Sequence, residues 1–177
     1  MAQDLNAFSN GGGVEALIML MRKDRGVFTI RPEDFNAWST GARFYPLLYM
    51  MTRVGHARDF SSGIELSNVM LGKNSSLEVH HIFPKHLLYK KGISKTIVNQ
   101  IANYAFITKD TNLDISDKAP KEYIPEYMEK TPGAIESHWI PTDHELLELE
   151  RYEDFLNKRR ALLAENANKL LASLYQG

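Results

Sequence analysis

The sequence predicts an α+β domain, mainly α-helical, with a small two-stranded element set between helical ends. Three observations predict it. Apolar residues recur at helical spacing near both ends, in Phe44, Leu47, Leu48 and Met51 and again from Tyr152 to Leu174. Two short runs suit extended backbone: Leu77-Glu78-Val79, and Tyr104-Ala105-Phe106-Ile107-Thr108 with its aromatic and β-branched residues. A length of 177 residues with 44% hydrophobic content is enough for one well-cored domain and short for two.

In chain order, Gly11-Gly12-Gly13 marks a flexible start, and Val14, Leu17, Ile18 and Met21 keep helical spacing up to Gly26. Val27 to Ile30 is an ambiguous extended piece. Pro32-Glu33-Asp34 reads as the first turn of a helix carrying Phe35 and Trp38, interrupted at Gly41. Residues 1–43 are thus a helical and flexible lead-in, and residues 44–177 the functional domain. The stripe from Phe44 to Met51 is core, with Pro46 tolerated in the first turn of its helix.

Asp59 to Ser76, rich in Ser, Gly and Asn, reads as a loop with persistent structure only around Ile64-Glu65-Leu66. After the first strand, Lys85–Tyr89 and Ser94–Ala102 are helical on either side of Gly92, with Ser94 a cap. After the second, Asn112-Leu113-Asp114-Ile115-Ser116 turns into a segment starting near Ser116 or Pro120, with Ser116 again a cap. Thr131-Pro132-Gly133 and Ile140-Pro141-Thr142 form a connector to an acidic helix capped by Asp143. Residues 143–175 read as one long helix, broken at most once, that packs on the Phe44–Met51 helix.

Composition excludes several classes. Without cysteine there are neither disulfides nor thiolate zinc sites, so a metal would rest on His, Asn, Asp, Glu or water. Runs such as Tyr45 to Met51 fall far short of the roughly 20 residues that span a bilayer, and Met1-Ala2-Gln3-Asp4 does not resemble a signal peptide. A soluble cytoplasmic protein with no membrane partner is expected. The net charge of -1 argues against coating nucleic acid by bulk electrostatics. Locally, Lys85, Lys90, Lys91 and Lys95 stand with no acid among them, whereas Asp143 to Asp154 is dominated by carboxylates. The basic run could bind phosphates; both runs also fit solvated helix faces.

The residues that carry chemistry are His80 and His81, in Leu77-Glu78-Val79-His80-His81-Ile82-Phe83-Pro84, together with Asn103 and Asn112 downstream. They read as the active site of a metal-dependent nuclease. A neutral imidazole takes a proton from water near neutral pH, and a second imidazole plus an amide oxygen can hold a divalent cation. Singly, each residue has a duller reading. A histidine pair can end a strand with its rings hydrogen-bonded, and either asparagine can serve a turn or a helix cap. The order of all four, with a strand before each pair, favours the site.

This middle segment resembles the HNH, or His-Me finger, nucleases, whose ββα-metal motif grips one cation between a hairpin and a helix. More broadly, Phe44 through Asn168 resembles the C-terminal nuclease region of GmrSD-type, modification-dependent restriction proteins. The matching stretches are Phe44-Tyr45-Pro46-Leu47-Leu48, Glu78 to Lys85, Ala102 to Phe106 and Thr111 to Ser116, with weaker ends at Trp139-Ile140-Pro141 and Phe155 to Arg160. The resemblance implies an embedded ββα-metal core at about 77–130, followed by C-terminal helices. It implies His81 as general base, His80 and Asn112 as metal ligands, and Asn103 as the side chain that pins the loop carrying the base. His80 stands where many relatives have Asp, which leaves the site less anionic. Imidazole also suits Zn, Ni, Co and Mn, and Mg or Mn is expected to support turnover. The implied function is hydrolysis of DNA phosphodiester bonds in bacterial restriction or phage defence, giving 5′-phosphate and 3′-hydroxyl ends.

Lys85, Lys90, Lys91 and Lys118 are the expected phosphate contacts, with Lys121 either another or simply solvated. His56, His138 and His144 are assigned no chemistry, and His86 at most a phosphate contact. Members of the resembled family usually carry an N-terminal nucleotide-binding, ParB-like domain. No such segment fits before Phe44, so the chain is expected either to be a fragment whose partner is such a domain or to act alone. Two other classes fit the same residues: a nucleic-acid-binding module with a decayed site, and a non-nuclease metal-binding interaction domain.

Overall fold

Two strands pair antiparallel, β1 (Leu77–His81) with β2 (Tyr104–Thr108), placing Val79 opposite Phe106 and His81 opposite Tyr104. The computed structural model describes residues 29–38, 44–67 and 77–174. Residues 31–177 form one compact unit and residues 1–30 another, of which Thr29 and Ile30 are described. The helix expected from Val14 to Gly26, the break at Gly41 and the loop from 68 to 76 lie outside the described residues.

Six helices among the described residues surround the strands, so the domain is α+β and mainly helical. They are α1 (Tyr45–Val54), α2 (Lys85–Lys90), α3 (Lys95–Val98), α4 (Lys109–Ile115), α5 (Pro120–Lys130) and α6 (Tyr152–Leu174). Every residue of β2 is buried, which explains why its aromatic and β-branched sequence was the clearer strand signal. The helix α4 follows β2 without a break and packs against both strands. A strand, a strand and a helix thus meet in one small layer.

That layer is fixed from two sides. On one, Phe83, just past β1, packs its ring 5.0 Å from Tyr152 and 4.8 Å from Phe155 at the start of α6, and all three are buried. Each such side chain contributes about 1.5–3 kcal/mol when withdrawn from water. On the other, Tyr45 and Tyr49 of α1 set their rings edge-on to Phe106, at 5.3 and 5.1 Å. The α1 stripe is narrower than its spacing implied, since Leu48 and Met51 are buried whereas Phe44 and Leu47 are only half-buried. Pro46 sits in the first turn, where its missing N–H has no helical partner to lose. The long helix α6 touches α1, as expected, but packs mainly on the turn Pro32–Asn36.

Arg159 of α6 is wholly buried among these layers. Its Nη1 donates to the Ala102 carbonyl at 2.6 Å and its Nη2 to the His138 carbonyl at 3.4 Å, while Nε has no partner. Burial pushes the guanidinium down to about 9. It ties α6 to the residues leading into β2.

Several local expectations are corrected. Pro32–Asn36 is a 3-10 turn, and Trp38 lies beyond it in an isolated bridge to Gln100. Ser94 precedes α3 without a capping bond, its hydroxyl engaging Thr96 instead. Asn112 lies on a helix rather than in a turn, because Thr108 caps α4 by accepting from the Thr111 N–H. Ser116 ends that helix with φ +53 and caps nothing after it; α5 starts at Pro120, with Glu122 accepting from the Ala119 N–H. The acidic stretch forms two 3-10 turns, His144–Leu147 and Leu149–Arg151, and Asp143 makes no side-chain cap. The loop after α1 is better anchored than its composition suggests, since Asp59 is buried and accepts from Thr108, Thr111 and Ser62. Among the described residues no helix is long and apolar enough to cross a membrane.

Candidate functional site

The strand pairing, the turn after β1 and helix α4 bring His80, His81 and Asn112 to one cleft of about 340 Å³, whose walls include Lys85, His86 and Asp117. Consecutive strand residues point to opposite faces. His80 therefore turns inward against α4 and α5, and His81 turns toward the residues after α3. Both reach the cleft because the strand ends immediately after them.

His80 is the buried half of the pair, 2% exposed. Its Nδ1 lies 3.0 Å from Asn112 Oδ1 and its Nε2 lies 3.2 Å from the Tyr123 hydroxyl. The amide of Asn112 is oriented by its nitrogen, which donates to Glu78 Oε2 at 2.9 Å and so turns the oxygen to His80. Tyr123 lies 3.1 Å from the Ile82 carbonyl, a group that only accepts. When the hydroxyl donates there, its oxygen is free to accept Nε2–H, and the Nδ1 lone pair then faces the Asn112 oxygen.

Two lone pairs at that distance repel unless something lies with them. The contact is therefore stable in two states: with a proton on Nδ1, donated to the amide oxygen, or with a cation held by both atoms. Tyr123 serves either tautomer because a hydroxyl both donates and accepts. Burial pushes the ring down to about 4; the Asn112 contact opposes this, and His81 and Arg159 reinforce it. His80 is thus neutral at pH 7, as a ligand must be. Burial also holds the Tyr123 phenol far above its usual range, so it remains a hydroxyl.

Neighbouring corners of an octahedral site with bonds of about 2.1 Å lie about 3.0 Å apart, which matches the spacing of Nδ1 and Oδ1. Among the described residues no group of three His, Cys, Asp or Glu side chains is placed to hold a metal. A cation here would take one imidazole and one amide oxygen from the protein, and its remaining ligands from water and substrate oxygens. That is the habit of Mg-like sites rather than of closed structural ones.

His81 is held apart from this pair. Its Nε2 lies 3.3 Å from Asn99 Oδ1, and its ring stands edge-on to Tyr104 at 4.8 Å. Burial pushes it down to about 4, the Asn99 bond opposes this, and the Lys85 charge adds to it. Asn103 does not reach the cleft. It is wholly buried, accepts from the Phe83 N–H at 2.9 Å, and donates to the Phe83 and Val98 carbonyls, both at 3.1 Å. It clamps the chain directly after His81, a positioning rather than a catalytic place.

The lysines divide. Lys85 lies at the cleft, and Lys118 follows Asp117, another cleft residue. Lys90 and Lys91 end α2 away from the cleft walls, and Lys91 is ion-paired with Glu150. Lys121 is ion-paired with Glu148 at 2.9 Å. The acidic run thus engages part of the basic one. His86, at the cleft mouth, lies 3.9 Å from Asp117. His138 is buried, its Nε2 donating to the Arg58 carbonyl at 3.0 Å, and it takes no part in the cleft. Sequence reasoning missed Tyr123, Glu78 and Asn99. Tyr123 and Asn99 are ordinary residues on other elements, and only Glu78, on β1 itself, carried a signal, through the alternation that puts it on the face of His80.

An uncharacterized protein of Methanocaldococcus jannaschii, MJ0686, is 34% identical to this chain over 98 residues. The match covers 54% of this chain and 16% of that relative, so the chain spans about a sixth of the relative's length. No known family matches the chain, and no solved structure matches it.

Proposed function

We propose that this chain is a divalent-metal-dependent endonuclease of the HNH type that hydrolyses DNA phosphodiester bonds. The observation that carries the reading is the cleft itself. A neutral imidazole and an amide oxygen stand at ligand spacing in it, and a second neutral imidazole, paired with Asn99, lines the same cleft. The β1–β2 pair followed by α4 supports the reading, since a ββα-metal motif would need two paired strands with a helix packed on them.

In this reading His80 and Asn112 hold Mg or Mn, with Zn or Ni as other occupants. When bound, the cation neutralises charge on the phosphoryl oxygens and on the leaving 3′ oxygen. His81 takes the proton of the attacking water, which positioned general-base catalysis typically rewards ~100- to 10,000-fold. A water oxygen then joins phosphorus as the bond to the 3′ oxygen breaks. Asn103 keeps the Ile82-Phe83-Pro84 turn, and with it His81, in place. Lys85, Lys90 and Lys118 steer the phosphate backbone; Lys91 would first have to leave Glu150. Sequence choice, and any role in restriction or phage defence, would come from a separate nucleotide-binding domain of ParB-like kind.

The test is cleavage of supercoiled plasmid by the purified chain in Mg or Mn. The reading expects nicks with 5′-phosphate ends that stop on chelation. Plasmid binding that is unaffected by metal, with no cutting, would instead favour a module with a decayed site. Metal binding without affinity for DNA would favour an interaction domain.

A further inference from the structure

We propose that Asn99 is the positioning residue of the base: its side-chain oxygen holds His81 in the Nε2–H tautomer and leaves Nδ1 as the basic nitrogen. The consequence for cleavage rests on the nuclease reading above; the tautomer does not.

The argument begins at the C-terminal end of α3, where Asn99 folds back on its own helix. Its Nδ2 donates to the Lys95 carbonyl at 2.8 Å and to the Tyr89 hydroxyl at 3.3 Å. A carbonyl oxygen only accepts, so the atom facing Lys95 is the amide nitrogen, and the atom facing His81 is the amide oxygen. That oxygen lies 3.3 Å from His81 Nε2 and has no proton to give. A neutral imidazole carries one proton, and here it must sit on Nε2. Tyr104, opposite His81 in the strand pairing, holds the ring's other flank edge-on at 4.8 Å, so rotation is restrained together with the tautomer.

Asn99 is only half-buried and is not among the cleft walls. Its removal takes away no cleft wall and no candidate metal ligand, and otherwise only the amide's bonds to the Lys95 carbonyl and the Tyr89 hydroxyl. What it takes away is the acceptor that selects one of two tautomers, the role a second group plays wherever a histidine must present a particular nitrogen. With the acceptor gone, the Nδ1–H form becomes populated, and in that form Nδ1 has no lone pair for water.

The test reads the ring nitrogens of His81 by 15N-correlated NMR at neutral pH, without metal. The chains compared are the parent, Asn99→Asp and Asn99→Ala, with His81→Gln to assign the signals. The same chains then cut a duplex oligonucleotide under steady-state conditions in Mn. The parent and Asn99→Asp should show the proton on Nε2, because a carboxylate is also an acceptor, and Asn99→Ala should show a mixture. Asn99→Ala should lose about 10-fold or more in kcat with KM within about twofold, and Asn99→Asp should recover most of that rate. A parent ring protonated on Nδ1 would overturn the proposal whatever the variants do. So would an Asn99→Ala chain with the parent's tautomer and kcat beside an inactive His81→Ala. A His81→Ala chain that cuts at the parent rate would instead overturn the base assignment itself.

Discussion

His80 Nδ1 lies 3.0 Å from Asn112 Oδ1, two side chains 32 residues apart in sequence, one on β1 and the other on α4. Each is oriented from behind, His80 by Tyr123 and Asn112 by Glu78. The first two predictions below follow from how that pair is held.

Tyr123→Phe removes the hydroxyl that accepts His80 Nε2–H and donates to the Ile82 carbonyl. The ring then loses the acceptor for Nε2–H that the cation-bound state needs. Metal affinity, measured by Mn titration, should fall about 10-fold, as is common when a group behind a ligand is lost. Folding stability should drop by about 1–2 kcal/mol, the cost of one buried carbonyl left unpaired.

Glu78→Gln tests the other half. Glutamine can turn its oxygen to the Asn112 amide and keep its orientation, while the site loses a negative charge. Metal binding should weaken severalfold in low salt with little change in the unfolding midpoint. Glu78→Ala should weaken it further, since the amide is then free to rotate. Equal affinities for the parent, the Gln form and the Ala form would show that the carboxylate plays no part.

Charge on the DNA side should sort by partner. Lys85→Gln should reduce the dependence of log affinity on log salt by about 0.9, the release from one phosphate. Lys91→Gln should change it less, because Lys91 is engaged by Glu150. The check is a salt titration of binding to several unrelated duplexes; a larger effect at Lys91 would move the footprint to the far end of α2.

The buried histidines set an acid limit. Burial holds His138 at about 4, against 6.5 for its free form. Between those values the unfolded chain binds more protons than the folded one, so stability rises with pH across the window and is lost as pH falls from 6.5 toward 4. For His138, wholly enclosed and donating to the Arg58 carbonyl, the full loss is on the order of 3 kcal/mol. His80 acts in the same direction. Urea unfolding at pH 7 and pH 4.5 should show this drop, and His138→Gln should flatten it.

Asp59 anchors the loop after α1 to the junction of β2 and α4. Its oxygens accept from Thr108 N and Oγ1 at 3.0 and 2.8 Å, from Thr111 Oγ1 at 2.6 Å, and from Ser62. These bonds hold its carboxyl below the usual range although burial opposes them. Asp59→Ala would strand several buried donors where β2 meets α4, at about 3 kcal/mol or more by chemical denaturation.

What the sequence disclosed was what local rules govern. The strand at Tyr104–Thr108 was legible from its aromatic and β-branched residues, and of the two starts open for α5, Ser116 or Pro120, the structure takes the one with proline in the first turn. The four residues of the candidate site stood out because their types and order carry chemistry. The misreadings came where a side chain chose a distant partner over a local one. Asp59 sits in a composition typical of loops yet is drawn into the core by Thr108 and Thr111. The acids after Asp143 looked like a helix face, but Glu148 and Glu150 are engaged by Lys121 and Lys91, and α6 begins only where Tyr152 can reach Phe83. Tyr123 and Asn99 had no signal at all, since nothing in a sequence says which carbonyl a hydroxyl or an amide will find.

The central claim divides labour between two adjacent histidines, His80 for the cation and His81 for the proton. It is tested most directly by measuring Mn binding and plasmid cleavage on the same preparations of parent, His80→Ala and His81→Ala. The account predicts that His81→Ala binds Mn nearly as the parent does but has lost cleavage, and that His80→Ala has lost both. A His81→Ala chain that cuts at the parent rate, or a His80→Ala chain that binds Mn as tightly as the parent, would contradict it.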